Sequence, residues 1–216
     1  MSASWRSDTL APFRVRNFRF QWPADLLACW GIEMENIMLG WYILVETQSV
    51  LMLTIYAALQ YVGTLCAPVF GMVGDRVGPR RLLCVMRASY AAISCTIMVL
   101  AFSGLLQPAF VLVSATLMGL VRPSDLAVRS ALVGETMPPR LLIRAMGIAR
   151  TTMDSSRILG ALTGTTLVAL LGMAQTYVVV VTLYLTSLAL TAASAGGSRG
   201  QRAAAARAGV PAASPW

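Results

Sequence analysis

Long apolar runs recur along this chain, over residues 22–45, 50–73, 82–103, 109–132, 142–171 and 175–193. About 18 such residues in a row are enough to cross a hydrocarbon core roughly 30 Å thick as a helix. Lipid offers no partner for a peptide group, so a spanning segment must satisfy its own backbone, and a helix does so. The pattern predicts an all-α polytopic membrane protein with six transmembrane helices, and the lipid bilayer as its first partner. Only 12% of the 216 residues are charged, where soluble domains carry about 25%.

The charges that remain are mostly basic. The formal net charge is +8, and all 17 basic residues are arginines. Such an excess also occurs in nucleic-acid-binding proteins. Here the arginines follow the loops instead. Arg6, Arg14, Arg16 and Arg19 precede the first run, and Arg76, Arg80 and Arg81 fill the second connection. Arg140 and Arg144 mark the fourth connection, and Arg199, Arg202 and Arg207 the tail. The alternate connections "ETQS", "SGLLQP" and "GMAQ" have none. Arginine retained on one side of short loops is the topology signal of a cell inner membrane, with both termini cytoplasmic. No nucleic-acid partner is expected.

Three regions follow. Residues 1–20 form a basic cytoplasmic N-terminus in which "FRVRNFRFQW" suits either an interfacial lead-in helix or an ordinary basic flank. Residues 21–193 form the bundle, and the Ala/Gly/Arg-rich residues 194–216 read as a disordered cytoplasmic tail or linker. Arginines precede any apolar run, and the first run is too long for the core of a signal peptide.

Several chemistries lose their support. There is no histidine, so the commonest general base and metal ligand is missing. Cys29, Cys66, Cys84 and Cys95 lie in apolar runs without metal-ligand spacing. No phosphate-binding glycine loop occurs. The chain is not expected to be an enzyme or to carry a cofactor or metal.

The informative residues are charges inside the runs. The first run holds Asp25, Glu33 and Glu35, the fourth Arg122, Asp125 and Arg129, and the fifth Arg150, Asp154 and Arg157. A charge at the centre of a lone spanning helix costs about 2.5–3.5 kcal/mol. Spacing shows how neighbours relieve this. Arg150, Asp154 and Arg157 share one helix face, which continues through Ala161, Gly164 and Val168, and are expected to point into the bundle. Glu33, Arg122, Asp154 and Arg157 fall at similar depth, so they form either a polar cavity or structural ion pairs. Glu35 points about 200° away from Glu33, so one of the two lies outside any cavity. Asp25, near the cytoplasmic end, reads as interfacial.

Between the second and third runs stands "GMVGDRVGPRRLL". Gly71, Asp75, Arg76, Gly78, Arg80 and Arg81 match Gly-x-x-x-Asp-(Arg/Lys)-x-Gly-x-(Arg/Lys)-(Arg/Lys), on the basic side. The loop closely resembles the signature of the major facilitator superfamily. "NFRFQW", "GWYILVETQS", "VRPSD" and "SRILGALTG" are similar to its macrolide-efflux and enterobactin-exporter branch over about residues 15–192. The resemblance implies secondary transport, here export of a small-molecule substrate. It implies that Asp75 helps to lock one conformation through nearby arginines, with Arg87 or Arg129 as local partners. That branch has Gly-Pro where this chain has Gly160-Ala161, so the resemblance does not carry proton-coupled antiport with it. The family has twelve spans in two halves, and this chain has one, so it reads as the N-terminal half of a twelve-helix major facilitator fold. A second half or a homo-oligomer is then the expected partner. The other reading is a truncated or frame-shifted fragment, or a membrane subunit that acts only with others.

Overall fold

The computed structural model describes the backbone of residues 11–14, 16–66, 78–137 and 139–207. Those residues are helical, and no strand occurs among them. The helices are α1 (Arg16–Thr47), α2 (Val50–Leu59), α3 (Pro79–Phe102), α4 (Pro108–Thr136), α5 (Pro139–Leu171) and α6 (Met173–Arg207). Short 3-10 turns cover Ala11–Arg14 and Val62–Cys66. Helices α3, α4 and α5 each start on a proline. Proline lacks the N–H that a first helical turn leaves unpaired, so it starts helices without loss.

Hydropathy located the helices better than their ends. The segment expected as an interfacial lead-in is the first turns of α1. The last helix runs to Arg207, beyond the expected boundary at 193, so the backbone there is helical rather than irregular. The second run differs most. Its α-helix stops at Leu59, and the chain passes through Gln60 and Tyr61 into the 3-10 turn. The cause is contact with α4. A Cβ on Gly63 would lie 2.6 Å from the Leu120 Cα, and one on Gly119 would lie 2.8 Å from the Gln60 Cα. Pro123 lies four residues after Gly119, inside α4, and supplies no N–H to the Gly119 carbonyl. Two backbones meet there without side chains between them.

Helices α3, α4 and α6 are long and apolar enough to cross a membrane, over Pro79–Phe102, Pro108–Gly134 and Met173–Ala193. Helices α1 and α5 are 32 and 33 residues long, but they carry the charges. Contacts fix the directions. Trp22 and Trp30 donate to Thr152 and Thr163, each at 2.9 Å, so α1 and α5 run parallel. Arg87 meets Asp25 and Ser94 meets Glu35, so α3 runs parallel to α1. Tyr56 reaches Asn36 while Leu53 nears Gly40, which sets α2 antiparallel to α1. Ser187 meets Ala24 and Tyr184 meets Glu35, which sets α6 antiparallel too. The start of α1 and the Ser187–Thr191 turn of α6 therefore lie at the same end.

Helix α1 is the hub, packed on α5 and α6, with α2 and α4 beside it. The core joins Met34, Met38 and Ile43 of α1 to Tyr90 of α3 and Tyr177 and Tyr184 of α6. A second cluster joins Leu82, Leu83 and Met86 of α3 to Val128 and Leu132 of α4.

Candidate functional site

Three polar groupings lie within this frame. The first is at mid-helix, where α1, α2 and α4 meet. Arg122 donates to the Glu33 carboxylate at 3.0 Å through Nη2 and to the Gln60 side-chain oxygen at 3.0 Å through Nη1. With its amide oxygen facing the guanidinium, Asn36 accepts from Arg122 at 2.8 and 3.2 Å and donates to Gln60 at 2.8 Å. The Arg122 side chain is 33% exposed and that of Glu33 19%. The sequence reading set Glu33, Arg122, Asp154 and Arg157 at one depth, and of these Glu33 and Arg122 meet. Their polar partners Asn36 and Gln60 were not anticipated.

The second grouping buries its arginines, at 0% and 8% exposure. Asp25 of α1 pairs with Arg87 of α3, and its nearest contact with Arg129 of α4 is 3.7 Å. Arg129 pairs with Asp125 one turn earlier and reaches the Cys29 sulfur at 2.8 Å. Arg87 is fully buried, and its Nη1 donates to Ser187 Oγ at 2.7 Å and Thr191 Oγ1 at 2.6 Å on α6. Asp25 is thus the centre of a network rather than an interfacial residue, which corrects the sequence reading. Two aspartates meet two arginines, so the charges cancel and insertion does not expose any of them to lipid singly. Arg87 and Arg129, expected as partners of the signature acid, are engaged by Asp25.

The third grouping escaped the sequence reading. Glu35 is 2% exposed and accepts from Ser94 at 2.8–2.9 Å, Tyr177 at 3.2 Å and Tyr184 at 3.0 Å. Its partners are hydroxyls on α3 and α6, on the opposite side of α1 from Glu33. The signal was present as two tyrosines seven residues apart in an otherwise aliphatic run.

The charged face of α5 is corrected. Arg150, Asp154 and Arg157 are exposed, and none of them joins Glu33 and Arg122. Arg150 and Asp154 pair with one another at 3.3 Å. The inward face is Ala145, Ser156, Gly160 and Gly164, about a quarter turn away. A Cβ on Gly160 would sit 2.8 Å from the Glu33 Cβ, and one on Gly164 3.2 Å from the Met34 Cα. Small residues decide which face meets the neighbour, because they let two backbones approach.

In the signature loop, Gly71, Asp75 and Arg76 lie outside the described residues. Gly78 adopts φ 89°, a left-handed conformation suited to glycine, immediately before α3 starts at Pro79. Arg80 is half-buried and Arg81 exposed.

A cleft of about 340 Å³ opens between α1, α4 and α5, at the end of the bundle where α1 starts. Phe18, Trp22, Val133, Met146 and Met153 form its apolar walls, and Asp25, Cys29, Arg129 and Arg150 also line it. The geometry therefore offers a half-open polar contact at mid-helix and an apolar cleft at one end. Between them lies a neutral network that holds four helices together.

Residues 7–204 match the family model described as transmembrane secretion effector. No curated protein matches the chain.

Proposed function

Because the chain belongs to the transmembrane secretion effector family, a major-facilitator-type group of membrane transporters, we propose that it forms the N-terminal six-helix half of an exporter. In this reading it resembles the macrolide-efflux and enterobactin-exporter branch and moves a small molecule across the inner membrane. The observation that carries the proposal is the half-open Glu33–Arg122 contact with Asn36 and Gln60. A purely structural pair in lipid gains by burying its cation, as Arg87 is buried. A pair left one-third open at mid-helix belongs to a wetted pathway wall.

Half a pathway needs its other wall. Major-facilitator transporters bind substrate between two bundles, near the midplane. The exposed face of α5, with Arg150, Asp154 and Arg157, and the open side of Arg122 are the surfaces that a second six-helix unit would cover. Left against lipid, each unpaired charge there would cost several kcal/mol, by about the same figure as any intramembrane ion. The signature loop, from Gly71 to Arg81, would then bias which end of the assembly is closed. Such a bias requires that Asp75 make a contact in one state that it lacks in the other.

Transport tests this directly. Cells expressing the chain alone should show no efflux of an apolar fluorescent dye. Cells also expressing a matching C-terminal half should show it, and Arg122→Gln should remove it. Efflux by the chain alone, as a purified monomer in liposomes, would refute the half-transporter reading. Orientation is tested separately. Reporter fusions after Gln48 and Gln107 should report the periplasm, and a fusion after Pro79 the cytoplasm.

A further inference from the structure

The cleft between α1, α4 and α5 has a chemistry that the Glu33–Arg122 contact does not explain. Its walls are aromatic, aliphatic and methionine side chains, which suit a flat or flexible apolar body. Asp25, Arg129 and Arg150 line it, and Arg129 and Asp25 are already compensated by Asp125 and Arg87, which leaves Arg150 as the cation at its mouth. Arg129 is 7% exposed and stays with Asp125, its Nε facing Asp25 at 3.7 Å. Arg150 is held only by an exposed contact with Asp154, 3.3 Å away on the same helix. Pairs of that kind are worth about 0.3–0.5 kcal/mol and exchange readily for a better acceptor. Exposed Arg19 of α1 and Arg140 of α5 add positive charge at the same end of the bundle.

We propose that this cleft binds an amphiphilic anion, its apolar body between Phe18, Trp22, Met146 and Met153 and its acidic head on Arg150. The guanidinium fork is suited to a carboxylate, sulfonate or phosphate head. Two sources share this chemistry: an acidic substrate entering from the cytoplasm and an anionic lipid of the inner leaflet. The site deepens the export reading but is tested by binding, so a failure of transport would leave the result standing.

Trp22 in the wall is the reporter. The full chain, purified in detergent, is titrated with 11-bromoundecanoate and, separately, with the neutral 11-bromoundecanol. Bromine quenches tryptophan on contact, and the part of the signal due to Trp22 is the part lost in Trp22→Phe. The anion should quench Trp22 saturably and more tightly than the alcohol. Arg150→Gln, on an exposed position, should weaken the anion about fivefold, a change typical of one exposed charged contact, and leave the alcohol unchanged. Ala149→Phe should abolish quenching by both, because it fills the cleft. Equal quenching by acid and alcohol, with no effect of Arg150→Gln, would overturn the proposal. So would quenching that survives Ala149→Phe. In nanodiscs of phosphatidylcholine, brominated phosphatidylglycerol that quenches Trp22 and is not displaced by undecanoate assigns the site to lipid. Quenching by the free acid without any from the lipid assigns it to substrate.

Discussion

Along the α1–α4 contact, Asp25 and Arg129 sit in a nearly closed network. Glu33 and Arg122, about two helical turns further along α1, sit in one that is open. The Arg129 and Arg87 side chains are 8% and 0% exposed, against 33% for Arg122. The ions are the same, yet their surroundings differ. The closed network receives hydroxyls from α6 and a second acid from α4. The open one receives two amides and faces outward. An ion pair sealed in low dielectric is difficult to break, because either partner left alone is an uncompensated charge. A pair in contact with water can exchange its partner for a ligand at little cost. The first arrangement holds helices together, and the second leaves a surface able to respond.

The difference can be broken from its strong end. Arg87→Leu removes the residue that ties Asp25 to α6, and should destabilise the bundle by about 3–5 kcal/mol. Thermal unfolding in detergent, followed by size-exclusion yield, checks it, and a parent-like yield would show that water already reaches Asp25. Glu35→Leu comes next. It strands the hydroxyls of Ser94, Tyr177 and Tyr184, each worth about 1–3 kcal/mol when left unsatisfied. Glu35→Gln keeps an acceptor and should recover most of that loss. If Gln and Leu were equally unstable, charge rather than hydrogen bonding would be what the pocket requires.

The weaker end sharpens the contrast. Glu33→Gln should shift unfolding by no more than about 1 kcal/mol, as expected of a half-exposed pair, while transport with the second half is lost. A stability loss as large as that of Arg87→Leu would erase the distinction between the two clusters. Smallest of all, Asp154→Asn should change stability by about 0.5 kcal/mol or less, because its pair with Arg150 lies on the surface of α5. A larger loss on the unpartnered chain would mean that this face is already covered, for instance by a second copy.

The number and order of the helices could be read from hydropathy, because crossing a bilayer requires long apolar runs. So could the shared depth of Glu33 and Arg122, though depth alone did not separate them from Asp154 and Arg157. Other features could not. Periodicity identifies Arg150, Asp154 and Arg157 as one face, but not which neighbour that face meets. Gly160 and Gly164, a quarter turn away, determine the packing. Position near a helix end made Asp25 look interfacial, whereas its surroundings come from Arg87 and Arg129, more than sixty residues away in the chain. Glu35 was hidden because its partners are tyrosines and a serine, which a hydropathy profile scarcely separates from the core. The early end of α2 is a matter of backbone contact at Gly63 and Gly119, to which no periodicity points.

The approach of α5 to α1 at Gly160 and Gly164 also has a mechanical meaning. With no side chain between them, the two helices come closest there, and the closest approach is a fulcrum for any change in their crossing angle. Met146, in the wall of the cleft, lies fourteen residues before Gly160, a lever arm of about 21 Å at 1.5 Å per residue. A change of about 10° in the crossing angle would carry that wall roughly 3–4 Å by the same geometry, more than the thickness of an aromatic ring. The mid-helix contact beside the fulcrum would scarcely move. Trp22 holds Thr152 at 2.9 Å between that fulcrum and Met146, so such a change would have to open this bond, while the Glu33–Arg122 pair would keep its registry.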